Sequence, residues 1–117
     1  MIVRAAGVTF ENRQELLARI DAHPEQWSIG IVREPNNPHD PNALAIIARN
    51  PGGEKLHLGY ISRELAYRWR KMDKFVITRW CVIGGGGRNY GLEMNVIPLP
   101  KVTRLDQYRH KRAVARR

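Results

Sequence analysis

The run Arg33-Glu34-Pro35-Asn36-Asn37-Pro38-His39-Asp40-Pro41-Asn42-Ala43 sets the strictest limit on what this chain can fold into. Three prolines, three asparagines and an aspartate fall within eleven residues, between two apolar runs that read as strands. Each proline fixes its own φ and biases the residue before it towards extended or turn geometry, so a rigid loop is predicted here rather than a helix. Asparagine and aspartate bond to nearby backbone and tolerate turn conformations, while proline removes chain entropy. Side-chain amides and a carboxylate are thus held in place before any ligand arrives. An ordinary Asx/Pro turn has the same composition, because turn residues gather in turns for conformational reasons alone.

Around this loop the elements read strand, helix, three strands, helix, two strands. Residues 2–10, rich in Val, Ala and Phe and interrupted by Gly7, suit a first strand with a bulge or a close backbone approach. Asn12 and Glu15 have capping-box spacing ahead of a helix to about Ala22, with Leu16, Leu17 and Ile20 on one face. His23, just before Pro24, suits the C-terminal end of that helix better than a ligand role. Residues 27–33 alternate as a second strand, and residues 43–48 form the continuous apolar run of a buried one. Asn50-Pro51-Gly52-Gly53 is a strong turn signal, so Leu56, Leu58 and Tyr60 complete a hairpin. Ser62 can cap a second helix over 63–71, with Leu65, Ala66, Trp69 and Met72 inward and Arg63, Arg68, Arg70 and Lys71 in water.

Residues 75–83 and 90–99 make the last strand pair, joined by Gly84-Gly85-Gly86-Gly87-Arg88-Asn89. Four glycines in a row lack the spacing and the following helix of a phosphate-binding fingerprint, so they read as a flexible hairpin tip. Flanked by Arg88 and Tyr90, that tip could close over a bound strand. The fold class is mainly β with two helices (α+β). Six short strands and so few helical stretches point to a small barrel or sandwich, not a doubly wound sheet.

A chain of 117 residues supports one modest core, placed in residues 1–100, followed by a basic tail over 101–117. The net charge is +9, and the tail carries seven cations against Asp106, a net +6. Such a segment attracts any polyanion without sequence selectivity, or simply solvates a terminus. No signal peptide or membrane-spanning run is visible, so a soluble cytoplasmic protein is expected, nucleoid-associated if bacterial. The single cysteine, Cys81, permits no internal disulfide, and its apolar neighbours suggest a core strand residue.

Catalysis finds little support. Asp40, His39 and Glu34 suggest a metal-dependent nuclease, but no second carboxylate cluster or His pair with metal-ligand spacing accompanies them, and no nucleophile elbow occurs. The expectation is a non-enzyme with no cofactor and no metal. A binder of single strands, by contrast, needs rings for stacking, cations for phosphates and polar groups for sugars or base edges. Phe10, Tyr60 and Tyr90 each end a predicted strand, and each could equally belong to the core.

With Ala6-Gly7-Val8, the 33–43 loop, and Leu58-Gly59-Tyr60-Ile61 followed by Ser62-Arg63-Glu64-Leu65-Ala66, the chain resembles the HIRAN domain. That family occurs attached to Swi/Snf-type helicase-like remodelling proteins and as free-standing small proteins of bacteria and phages. The resemblance covers most of residues 1–99 and implies an OB- or SH3-like β-barrel that grips the 3′ end of single-stranded DNA. Carried over by position, Phe10 matches a ring that stacks on the terminal base, and His39 falls where a second ring flanks it. Asn36 and Asn37 match polar contacts to that end, and Asp40 matches the carboxylate that accepts from the free 3′ hydroxyl. Tyr60 and Arg63 match a phosphate-contacting pair, beside N-terminal amides of the second helix, and Tyr90 falls near a ring of the last hairpin. Thr9 and Glu11 stand where DNA-binding members carry an arginine and an aromatic, and Tyr60 replaces a histidine.

The implied function is a single-stranded DNA-binding module for 3′-hydroxyl ends in DNA repair, replication or a phage process, with a helicase or nuclease as a candidate partner protein and no membrane. The alternative is a protein-interaction adaptor with a nonspecific basic tail.

Overall fold

Six strands and two helices follow one another as the apolar pattern predicts, in a computed structural model that describes residues 1–101. They are β1 (Ile2–Arg4), α1 (Arg13–Ala22), β2 (Ser28–Arg33), β3 (Leu44–Arg49), β4 (Lys55–Tyr60), α2 (Arg63–Arg68), β5 (Met72–Gly85) and β6 (Arg88–Pro100). A 3-10 turn, Pro24–Gln26, lies between α1 and β2.

The strands pair into two antiparallel sheets of three, ordered β1-β6-β5 and β2-β3-β4. The expected six-stranded barrel is therefore not closed by one continuous ladder. At one seam the chain itself changes sheets: Ala5 donates to Leu92 of β6 at 2.9 Å, and Ala6 exchanges bonds of 2.7 and 2.9 Å with Tyr60 of β4. At the other seam no ladder joins β2 to β5 among the described residues. β2 stops at Arg33, where the proline loop begins, and the side chain crosses the gap instead of the backbone. The Arg33 guanidinium donates to the Trp69 carbonyl at 2.7 Å and to that of Met72, and lies over the Phe75 ring.

Core burial follows the periodicities. β3 buries Leu44, Ala45, Ile46 and Ala48, as a central strand covered on both faces does. β6 buries every second residue, Leu92, Met94 and Val96. α1 adds Leu17 and Ile20 and rests on both β4 and β6, so it spans the two sheets. Arg19 ties that helix to the β3–β4 turn through two 2.8 Å bonds to Glu54.

Several expectations need correction. The first strand ends at Arg4, because Gly7 at φ +70° starts a turn in which Phe10 donates to Gly7 at 3.3 Å. Asn12 precedes α1 but makes no side-chain capping bond. α2 stops at Arg68, and tight bonds from Arg70 to Tyr67 and from Met72 to Trp69 turn the chain directly into β5. The glycine tip is shorter than expected: pairing runs out to Gly85 with Arg88, leaving Gly86-Gly87 as a two-residue turn. Both turn glycines have positive φ, 61° and 95°, which hairpin twist requires there. Cys81 is exposed opposite Glu93, since strand alternation gives the inward position to its neighbour Trp80. The basic tail lies outside the described residues apart from Lys101. No helix among the described residues is long and apolar enough to cross a membrane.

Candidate nucleic-acid interface

The 33–43 loop is built as nested side-chain turns. Glu34 donates to Ala43 at 3.0 Å and closes the base, and Asn37 donates back to the Glu34 carbonyl at 3.0 Å. Asn37 Oδ1 then accepts from the amides of His39 and Asp40 at 2.9 and 3.1 Å, and its Nδ2 donates to Glu34 Oε1 at 3.0 Å. Asp40 Oδ1 accepts from the Asn42 amide at 2.9 Å. The prolines interleave with these residues and bring no N–H that would need a partner. The Asn37 amide is thus largely consumed in shaping the loop, while Asp40 Oδ2 has no hydrogen-bond partner among the described residues.

Beside the loop opens a cleft of ≈ 650 Å³. Phe10, Asn37, His39, Asp40, Tyr60 and Arg63 all line it. Phe10 is 67% exposed, so the core alternative does not apply to it; the turn after Gly7 holds the ring at the rim. His39 is also exposed there, and Arg63 Nη2 reaches its carbonyl at 3.5 Å. Tyr60 is half-buried and donates its hydroxyl to Glu34 Oε1 at 2.8 Å, with the His57 ring packed edge-on at 4.7 Å. Burial pushes the Glu34 carboxyl up, but the bonds from Asn37 and Tyr60, with the charges of His57 and Arg13, outweigh it and hold the pKa below the usual carboxylate range. The Tyr60 phenol is pushed above its usual range, first by burial and then by the bond and charge of Glu34.

Two of the sequence-predicted residues do not enter the cleft. Asn36 is exposed and is absent from the lining. Tyr90 stands away from it as well, its ring laid against Gly85 and its backbone clamped by Gln14, which accepts from Tyr90 N at 2.7 Å and donates to Tyr90 O at 2.8 Å. Those contacts make Tyr90 a packing residue of the β5–β6 hairpin. The N-terminal amides ascribed to α2 are reduced by Ser62, whose Oγ accepts from Leu65 N at 3.4 Å. Glu34, His39 and Asp40 do not converge: among the described residues no three His, Cys, Asp or Glu side chains gather as metal ligands would.

Arg13 is the lining residue that sequence reasoning missed. It occupies the first position of α1, its side chain is only 7% exposed, and its guanidinium lies 5.4 Å from the centroid of the Tyr60 ring. Nη1 donates to Gly7 O at 2.7 Å, Nη2 stands 3.9 Å from Glu11, and Nε has no partner among the described residues. The signal was present: positions 13, 17 and 20 share one helical face, so a cation sits on the stripe that Leu17 and Ile20 bury.

A small two-sheet β domain thus carries, on one rim, a cleft framed by exposed rings, a half-committed carboxylate and two arginines. The class is a β-rich module with an open cleft on one rim. The family model described as HIRAN domain matches residues 6–88, and the chain belongs to that family. The match includes the loop, the cleft and both helices. No curated protein and no solved structure matches the chain.

Proposed function

We propose that this chain is a non-enzymatic DNA-binding module whose cleft captures the 3′-hydroxyl end of a single strand. Membership of the HIRAN family supports DNA binding. The observation that carries the finer reading is the state of Asp40, with one carboxylate oxygen fixed by its own loop and the other unspent, among the described residues, in the cleft that Phe10 lines. A carboxylate accepts a bond from a terminal hydroxyl and repels a phosphate in the same place, so one charge provides end selectivity. The terminal base stacks on Phe10 with His39 beside it, and the phosphate that precedes it meets Arg63 and Arg13. Such a module serves DNA repair, replication or a phage-encoded process, alongside a helicase or nuclease partner.

The test is a binding titration with single strands that differ only at the 3′ terminus. A 3′-hydroxyl strand is expected to bind more tightly than a 3′-phosphate or circular strand, and Asp40→Asn to weaken it by ~1.5–3 kcal/mol, the range of a hydrogen bond to a charged group. Equal affinity for all three strands leaves only electrostatics, and absence of DNA binding at low salt favours the protein-adaptor alternative.

A further inference from the structure

The solvent face of α2 and the turn after it combines a ring with cations. Residues 63–71 hold Arg63, Arg68, Arg70 and Lys71 against the single acid Glu64. Tyr67 is 56% exposed, while Leu65, Ala66 and Trp69 do the packing. A tyrosine left in water on so short a helix is not there for the core. Arg70 braces it: its guanidinium lies 4.1 Å from the ring centroid, and its Nη1 donates to the Tyr67 carbonyl at 2.9 Å. Arg70 thus restrains the ring, and an aromatic restrained in advance loses less entropy when a flat ligand stacks on it.

Tyr67 lines a second groove together with Pro41, Asn42, Glu64, Arg68 and two residues that also line the cleft, Asp40 and Arg63, so its lining holds two arginines and two carboxylates. The two concavities are thus neighbours at the end of the proline loop, with Asp40 and Arg63 common to both. Arg68 touches Glu64 at 3.4 Å, an exposed pair that a phosphate can readily open. We infer that this groove is a second nucleic-acid subsite, in which Tyr67 stacks a base 5′ to the terminal dinucleotide and Arg68 meets the adjoining phosphate. The inference rests on the strand-end reading of the cleft and extends it along the same strand. Arg70 and Lys71, which flank a groove whose own charges balance, and the two residues it shares with the cleft select a nucleic-acid strand as the occupant.

The test uses the full chain and 5′-labelled oligothymidylates, a dinucleotide and an octanucleotide, each with a 3′ hydroxyl. The octanucleotide is expected to bind the unmutated protein more tightly. Tyr67→Ala should weaken the octanucleotide roughly tenfold, the loss that one stacked base represents, and leave the dinucleotide within about twofold. Tyr67→Phe should retain the octanucleotide affinity, and Arg68→Ala should lower the salt slope for the octanucleotide by ~0.7. No loss on the octanucleotide overturns the subsite, as does an equal loss on both lengths, which would mean that Tyr67 acts through the fold. A 3′-phosphate octanucleotide separates the two readings. If the unmutated protein binds it as well as the hydroxyl form, and Tyr67→Ala still weakens both, end recognition fails and the subsite stands. If discrimination holds and Tyr67→Ala changes nothing, the subsite alone fails.

Discussion

Arg13 holds a permanent charge where its side chain is nine-tenths buried, and among the described residues its neighbours satisfy it only in part: one N–H reaches Gly7, Glu11 stands off at 3.9 Å and Nε is left over. A buried charge with incomplete partners costs stability, so its replacement by an apolar side chain of similar length need not destabilise the fold. The same charge lies in the cleft wall, where a phosphate would complete its bonding. Arg13→Met is therefore expected to leave the urea midpoint unchanged or raised, while oligonucleotide affinity drops and the salt slope shrinks by ~0.7. A parallel loss of stability and affinity would make Arg13 a fold residue only. The Tyr60–Glu34 bond makes a prediction of a different kind. The Glu34 pKa is lowered on folding, so its contribution is complete above the unfolded value of ~4.3 and is lost as pH falls through the folded value. The Tyr60 pKa is raised, so its share is complete below the unfolded value of ~10 and is lost as pH rises through the folded value. Tyr60→Phe should cost ~1 kcal/mol at neutral pH and flatten the alkaline fall in stability, both read from urea melts over the pH range.

At the scale of elements, the bridge between Ala6 and Tyr60 depends on Gly59. A Cβ there would stand 2.5 Å from the Ala6 carbonyl oxygen, and the residue's φ of +156° is one that other residues rarely adopt. Gly59→Ala should therefore push the Ala6 segment off β4 and cost at least ~2 kcal/mol, measured by denaturant unfolding. Binding should fall with it, because Phe10 and Arg13 reach the cleft through that segment; full retention of affinity would separate the bridge from the site. Much of this scale was legible in the sequence. The unbroken apolar run of β3, the Asn50–Gly53 turn and the Leu17 and Ile20 stripe of α1 all formed where periodicity put them. The loop was legible too, as rigid, but not the division of labour within it. Composition cannot tell that Asn37 spends its amide on two backbone N–H groups and Glu34 while Asp40 Oδ2 has no partner among the described residues, since that depends on which groups come within reach. Tyr90 lies outside the cleft lining, which position at a strand end could not tell because it does not say which side of a hairpin the ring covers, and here Gly85 leaves the space it fills.

For the molecule as a whole, the two sheets meet at two unlike seams. Backbone bonds of Ala6 close one, and α1 spans it; the Arg33 side chain bridges the other, where β2 and β5 share no ladder. The sequence could not announce this, because strand number and length fit a barrel equally well, and only the register of non-local pairs decides whether a ladder closes. The division has a mechanical consequence. Arg33 gives its guanidinium to two carbonyls, those of Trp69 and Met72, and covers Phe75. Arg33→Met keeps an apolar stem over that ring but leaves both carbonyls without this donor, so it should cost ~2–3 kcal/mol. The loss should be local. Amide exchange at the start of β5 and the end of β2 should accelerate, while the amides of Ala6 and Tyr60 at the bonded seam keep their protection, because regions with few backbone links open independently of the rest. Uniform acceleration across both sheets would mean that the domain opens as one unit, and that the Arg33 bridge is worth no more to its own seam than to the other.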